Sequence, residues 1–284
     1  MKKLFISGLI IFVVCFVLAS VMWFGFERQN NKLNTAHKSF PNDKINGLHI
    51  SSQNSFVEVK RGKQFSVSYK GQKKLNVQNH NGTLYIKEQR NSEDHYGLNF
   101  NPFRKIKEHL VVTVPDKKLK QFDLKSKRNR VEVNQLDVEK AKINMAYEGI
   151  VKVGLNRSNV DKLFYRGKNS PVTLTKDKIA NANIKSSNAH INAEESLIEK
   201  SVLLVTRDKD IHLDKMDINS NFKASSENGD IIMSYNRKPE NVLLKLNPSD
   251  GKSKVFNSSF NDDKGGKGDN VLEMYTEKGN IQIN

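Results

Sequence analysis

The sequence predicts an all-β protein, a parallel β-solenoid (β-helix) with rungs of about 20 residues, preceded by one N-terminal transmembrane helix. Nine times a strand-like apolar residue is followed, seven positions later and across a short polar stretch, by another: Ile50/Val57, Val77/Leu84, Leu124/Val131, Ile143/Ile150, Tyr165/Val172, Ile184/Ile191, Leu204/Ile211, Ala224/Ile231 and Met274/Ile281. From Val131 the second members recur at 131, 150, 172, 191, 211 and 231, in steps of 19, 22, 19, 20 and 20. Ahead of all this stand 23 residues without a charge, Leu4 to Phe26.

That apolar run is about long enough to cross the hydrocarbon of a bilayer. Lys2 and Lys3 precede it, and Glu27 and Arg28 follow. A cleaved signal peptide is the alternative, with Val17-Leu18-Ala19 as small-residue chemistry at a cut. The run continues through Val21, Met22, Trp23 and Phe24, past the usual apolar region of a signal peptide, which favours an uncleaved anchor. Lys2 and Lys3 favour a cytoplasmic N-terminus, although Arg28, Lys32 and Lys38 blunt the bias. A large polar repeat domain after a single early span belongs outside. The expected organisation is a cytoplasmic tip 1–3, an anchor 4–26, a polar stalk 27–44 containing Pro41, and an extracytoplasmic domain 45–284 with an irregular insertion 88–108.

The domain's strands follow in order. Leu48 and Ile50, Phe56-Val57-Glu58-Val59 and Phe65-Ser66-Val67-Ser68-Tyr69 alternate with period two, and Asn79-His80-Asn81-Gly82 is a turn before Thr83-Leu84-Tyr85-Ile86. Residues 88–108 carry Tyr96, Phe100 and Phe103 beside Arg104, Lys105 and Lys107, either as a binding loop or as aromatics pinning the loop to its own domain. His109 to Pro115 is a strand ended by proline, and regular repeats run from there to about residue 235. Each has two short strands around a polar corner and a third apolar position at Leu136, Leu155, Ile179, Ile198, and Met216 or Ile218. Around Ile150 the register is open, since Val151 and Val153 fit the alternation equally well. Beyond Pro239 the repeat loosens: Val242 to Leu246 is a strand, Asp262 to Gly268 a loop, and Val271 to Tyr275 with Ile281 to Ile283 a closing strand pair. The last strand is expected to leave an edge that self-association or a partner must cover.

Composition narrows the function. With 37% hydrophobic and 27% charged residues, 284 residues build one or two domains with a real core. Cys15 is the only cysteine and lies in the apolar run, so the outer domain has neither disulfide nor thiolate metal site, which suits a Gram-positive surface. The formal net charge of +16 draws the domain to anionic lipid headgroups or wall polymers, unless lysine is simply its solvating residue. The densest cluster is Lys117, Lys118, Lys120, Lys125, Lys127, Arg128 and Arg130, a candidate polyanion-binding edge. Its one aromatic, Phe122, points inward by alternation, which argues against a platform stacking nucleic-acid bases.

Catalytic signatures are sparse. The seven histidines, at 37, 49, 80, 95, 109, 190 and 212, have no metal-ligand spacing. Gly265-Gly266-Lys267-Gly268 lacks the earlier glycine and the following Ser or Thr of a phosphate loop. His190, Asp210 and Asp230 each precede the second strand of successive rungs and would form a column. Paired carboxylates there are the basis of an alternative reading, a polysaccharide-processing enzyme using Asp210 and Asp230. Corner residues of this kind are ordinary in turns. No catalytic, cofactor or metal residues are therefore assigned.

The strand end Val112-Thr113-Val114-Pro115 and the corners Ser226-Glu227-Asn228-Gly229-Asp230-Ile231 and Thr276-Glu277-Lys278-Gly279-Asn280-Ile281 resemble a bacterial β-strand-repeat family labelled "putative adhesin", a domain of unknown function common in Gram-positive bacteria. The resemblance covers about 45–284. It implies a β-solenoid, often membrane-anchored and in some members found beside envelope-stress systems, with no catalytic residues to carry over. The chain departs from the pattern at Lys127-Arg128-Asn129-Arg130 and Lys168-Asn169-Ser170-Pro171, which replace the glycine turn. The expected function is a non-catalytic cell-envelope module on a single-pass membrane protein, binding an anionic envelope component, a partner membrane protein or its own kind.

Overall fold

The computed structural model describes residues 2–22, 33–40, 45–89, 108–145, 151–199, 202–207, 209–218 and 220–284. Helix α1 (Lys2–Met22) is long and apolar enough to cross a membrane, and none of it is buried against the protein. Trp23 and the insertion's Tyr96, Phe100 and Phe103 lie outside the described residues.

Among the described residues after α1, the regular secondary structure is all β. The opening strands are β1 (Asn34–Phe40), β2 (Gly47–Ser52), β3 (Phe56–Gly62), β4 (Phe65–Gly71), β5 (Leu75–His80), β6 (Thr83–Glu88) and β7 (His109–Pro115). The regular middle contains β8 (Leu119–Ser126), β9 (Val131–Asn134), β10 (Asp137–Met145), β11 (Val153–Asn156), β12 (Asn159–Lys168), β13 (Val172–Thr175), β14 (Lys178–Ser187), β15 (Ile191–Glu194), β16 (Leu197–Ile198), β17 (Val202–Thr206), β18 (Ile211–Ile218), β19 (Phe222–Ser226) and β20 (Ile231–Tyr235). The chain closes with β21 (Asn241–Pro248), β22 (Ser253–Val255), β23 (Lys264–Gly266), β24 (Asn270–Thr276) and β25 (Ile281–Ile283).

Two ladders, mostly parallel, face one core. In ladder A the column Val57, Val131, Val153, Val172, Ile191, Ile211, Ile231 and Ile281 is in continuous register. In ladder B the matching column is Ile50, Leu124, Ile143, Tyr165, Ile184, Leu204, Ala224 and Met274. Period-two alternation puts the described side chains of these columns, all but that of Leu204, inside, and they are at most 2% exposed. A second inner column of ladder B alternates bulk, with Phe122, Ala141, Leu163 and Ala182 in register, so that neighbouring side chains interdigitate.

Three expectations are corrected. Val153, not Ile150, continues the ladder A column, and Ile150 lies outside the described residues. The Val77/Leu84 pair belongs to an antiparallel hairpin, β5–β6, turning at Asn81 and Gly82 with φ of 49° and 75°. The third apolar column is Val138, Val160, Ile179, Ile198 and Ile218, whereas Leu155 belongs to the preceding strand. Leu136 instead opens a corner column, and its N–H donates to Ser158 Oγ at 3.2 Å.

The corners explain how rungs turn without glycine. Asn129, Asn169 and Asn188 adopt φ of 73°, 53° and 57°, the left-handed region that asparagine tolerates. Asn188 Nδ2 also donates to Asn169 Oδ1 at 2.8 Å, one rung below. Where glycine does stand, the reason is crowding: a Cβ on Gly229 would lie 2.3 Å from the Lys209 carbonyl, and one on Gly279 would lie 2.1 Å from Gly229 O. The hydroxyls of Ser226 and Thr276 accept the N–H of Gly229 and Gly279, each at 3.0 Å, which accounts for the motif's spacing.

Both ends fold back on themselves. β2 lies between β6 and β8, and β3 between β7 and β9, so the chain's first rung is not an edge. Likewise β24 lies between β19 and β21, and β25 between β20 and β22. The expectation that Ile281 to Ile283 leaves an edge is therefore wrong; that strand is paired on both sides. Antiparallel strands cover the outermost rungs, with β1 on β4, β4 on β7, β5 on β6 and β23 on β21. Two of these strands arise where loops were expected. β1 lies within the segment 27–44 and β23 within 262–268, because backbone pairing to a rung end fixes residues whose side chains give no alternation signal.

Candidate polyanion-binding face

The outer side of ladder B is set by its inner side. In β10, β12 and β14 the inward residues Ala141 and Ile143, Leu163 and Tyr165, and Ala182 and Ile184 force their neighbours outward. Those neighbours are Lys140 and Lys142, then Lys162, Phe164 and Arg166, then Asn183 and Lys185. Register stacks them: Lys140 beside Lys162, Lys142 beside Phe164, and Arg166 between Asn144 and Lys185. Lys125 of β8 continues the last row through Asn144. Adjacent strands are about 4.8 Å apart.

A hollow of about 400 Å³ opens here, lined by Lys140, Lys142, Asn144, Phe164, Arg166 and Lys185 among others. Phe164 is 40% exposed, and Lys140 Nζ sits 5.8 Å from its ring centroid. Among the described residues, no carboxylate forms an ion pair with Lys125, Lys140, Lys142, Lys162, Arg166 or Lys185. Further along the same ladder the charge is cancelled, with Lys223 Nζ 2.6 Å from Glu273 and holding that carboxyl below its ordinary range. The face is mainly cationic, with the Asp123 carboxylate in register beside Lys142 at its β8 margin, and a bound polyanion would relieve the repulsion among its lysines and Arg166.

The cluster singled out by sequence is dispersed around the rung. Lys117 lies 5.2 Å over the Phe65 ring, and Lys118 pairs with Asp161 at 2.8 Å. Lys120 and Lys125 are exposed on β8, and only Lys125 joins the stacked cations. Lys127, Arg128 and Arg130 turn the next corner, where Arg130 pairs with Glu132. Density along the chain was a poor guide because alternation sends consecutive lysines to different sides. The signal that finds the face is a lysine, arginine or exposed aromatic at every second position in successive rungs. Phe122 is buried, as alternation required.

The acidic column has a structural task. Asp210 Oδ1 accepts the Asp230 N–H at 3.0 Å, and Asp230 Oδ1 accepts the Asn280 N–H at 2.7 Å. Each carboxylate holds the backbone of the next rung. A different carboxylate is buried: Asp177 lies between Ser158 and Ser196, accepting N–H bonds from Ser158 at 2.7 Å and Thr175 at 3.1 Å. Burial pushes its pKa up to about 7, and the two N–H bonds only partly oppose this.

The comparisons bear on family rather than on ligand. A crystal structure named "putative adhesin" from Bacteroides fragilis is similar over 89% of this chain and 98% of its own, at 12% identity and a TM-score of 0.46. One named "putative lipid binding protein" from Parabacteroides distasonis is similar over 90% and 98%, at 13% identity and a TM-score of 0.46. A third, named "putative adhesin", from Parabacteroides merdae, covers 90% and 97% at 12% identity and a TM-score of 0.35. No curated protein matches the chain. A family model described as Toastrack DUF4097 matches residues 45–284, in agreement with the resemblance carried by the strand end and glycine corners. The chain belongs to the Toastrack DUF4097 family.

Proposed function

We propose that this is a non-catalytic cell-envelope module: a β-solenoid, held at the membrane by α1, whose ladder B face binds an anionic envelope polymer. The observation that carries the reading is the cluster of outward cations on β10, β12 and β14, with Lys140 stacked beside Lys162 and Arg166 beside Lys185, joined through Asn144 by Lys125 of β8 and forming no ion pair among the described residues. A polymer with regularly spaced phosphates or carboxylates matches a surface that repeats at the rung spacing. Binding of this kind is dominated by release of small ions and weakens steeply with salt. The helix α1 supports a membrane anchor through its length and the uncharged run that follows Lys2 and Lys3, and would place the face close to the envelope.

The test is sedimentation of the full chain in detergent with isolated Gram-positive envelopes, with and without their anionic wall polymers, across a salt series. Polymer-dependent capture that falls with salt supports the reading. Capture that is equal without the polymers, or unchanged by salt, contradicts it. The enzymatic alternative through Asp210 and Asp230 is disfavoured by their backbone duties. Turnover of a wall glycan that Asp210→Asn abolished in a folded protein would restore it.

A further inference from the structure

On the opposite ladder, the fold brings His212 to the His190–Asp210 column that the rung spacing predicts. His190 and Asp210 are the residues immediately before the paired Ile191 and Ile211, so adjacent rungs place them side by side. His212 lies two residues beyond Asp210 and points outward, because its neighbours Ile211 and Leu213 are at most 1% exposed. Asp210 Oδ2 is 3.7 Å from His190 Nδ1 and 3.7 Å from His212 Nε2. One ligand-capable atom from each of the three residues lies within 4.8 Å of the other two.

We infer that His190, Asp210 and His212 form a binding site for a divalent transition-metal ion of the zinc type. Two imidazoles and one carboxylate are the donor set that such ions take, whereas calcium and magnesium prefer all-oxygen sites. Ligand atoms about 2.0–2.1 Å from a shared tetrahedral ion lie roughly 3.3 Å apart, so the two carboxylate–imidazole separations need to close by about 0.4 Å and the imidazole–imidazole separation by at most about 1.5 Å. The carboxylate is already oriented. Its Oδ1 is occupied by the Asp230 N–H, which turns Oδ2 toward both rings, the outer-shell support that metal ligands commonly have. The side chains are between 38% and 45% exposed, so an ion has access and a position remains open for water or an exogenous ligand. An ion bound here would bridge β18 to the corner ahead of β15 and tie two rungs together.

The experiment is a titration of the untagged full chain in detergent with Zn²⁺ alone, by calorimetry and by thermal unfolding, alongside His190→Asn, His212→Asn, Asp210→Asn and the control His49→Asn. The expected result is one high-affinity equivalent and a raised Tm, with affinity weakened at least about tenfold in each of the three site variants and unchanged in the control. Unperturbed Tm values without zinc confirm that the variants fold, as substitutions at half-exposed positions should. No saturable binding by the parent protein, undiminished binding by the site variants, or equal competition by Ca²⁺ would each overturn the assignment. The outcome is independent of polyanion binding, which involves the other ladder.

Discussion

The middle of the domain and its two ends are built from the same strands but solve different problems. From β8 to β20 each rung stacks on the last in parallel register, and the inner columns run on with little interruption. At the N-terminal end the chain places β6 and β7 on the outer side of the rung it has already laid down, at the C-terminal end it inserts β24 and β25 beneath β21 and β22, and antiparallel partners complete both ends. The middle therefore has repeating side-chain columns on both surfaces, which is what a periodic ligand or a bridging ion can read. The ends have irregular sequence and closed backbone bonding, which suits a cap. Repeat architectures need such caps because an unfinished rung presents unpaired N–H and C=O groups to any passing strand.

The comparison is broken most forcefully in the core. Ile191→Ala removes a fully buried side chain with a paired rung on each side, and we expect a loss of about 2–5 kcal/mol in denaturant unfolding. Val77→Ala, in the hairpin of the N-terminal cap and 7% exposed, should cost under about 2 kcal/mol. Equal losses would mean that the cap is as tightly integrated as the middle.

Next in size is the corner crowding. Gly229→Ala places a methyl against the Lys209 carbonyl with no left-handed backbone involved, and should destabilise by roughly 2 kcal/mol or more. Gly154→Ala, where a Cβ would meet nothing, should be neutral or slightly stabilising.

A third prediction concerns pH. The Asp177 carboxyl is raised from an ordinary value near 4 to about 7, so the folded state holds its proton more tightly than the unfolded chain. Its stabilising contribution is complete below about pH 4 and is lost as pH rises to about 7, by roughly 1–4 kcal/mol in all. Asp177→Asn should flatten that part of the stability profile, measured as denaturation midpoints across pH. A profile identical to the parent's would show that another group sets it.

The smallest effect is at the left-handed residue that follows β9, β11, β13 and β15 and recurs at the register break within β18. Gln135, Arg157, Lys176, Glu195 and Lys215 take φ between 48° and 56° there. Lys176→Gly relieves that strain at some entropic cost, and thermal unfolding should shift by no more than about 1 kcal/mol, toward stability.

What the sequence disclosed follows from the same contrast. Apolar alternation reports burial, so the middle rungs were legible down to individual columns, as Ile184/Ile191 and Ala224/Ile231 show. Slips came where a corner changed length, as between Met145 and Val153, because counting seven residues assumes a constant corner. The caps were illegible for a different reason. β1 and β23 are held by backbone bonds to a rung edge, and the order in which β24 and β25 insert beneath β21 and β22 depends on contacts of long sequence separation. The candidate face was half legible: its residues are the outward half of the alternation, but their stacking needs the rung register. The His190–Asp210–His212 cluster needs register alone, since 20 residues of chain separate its first two members.

The claim that the regular middle carries the binding function is tested most directly by matched charge reversal. One variant carries Lys142→Glu, Arg166→Glu and Lys185→Glu on the ladder B face; the other carries Lys245→Glu, Lys252→Glu and Lys254→Glu in the C-terminal cap. Both change the net charge equally, and affinity for isolated anionic wall polymer is measured at fixed ionic strength. The account predicts at least about a tenfold loss for the first and little change for the second, with both proteins folded. Equal losses would reduce the interaction to net charge, and a greater loss in the cap variant would place the binding surface at the end of the stack.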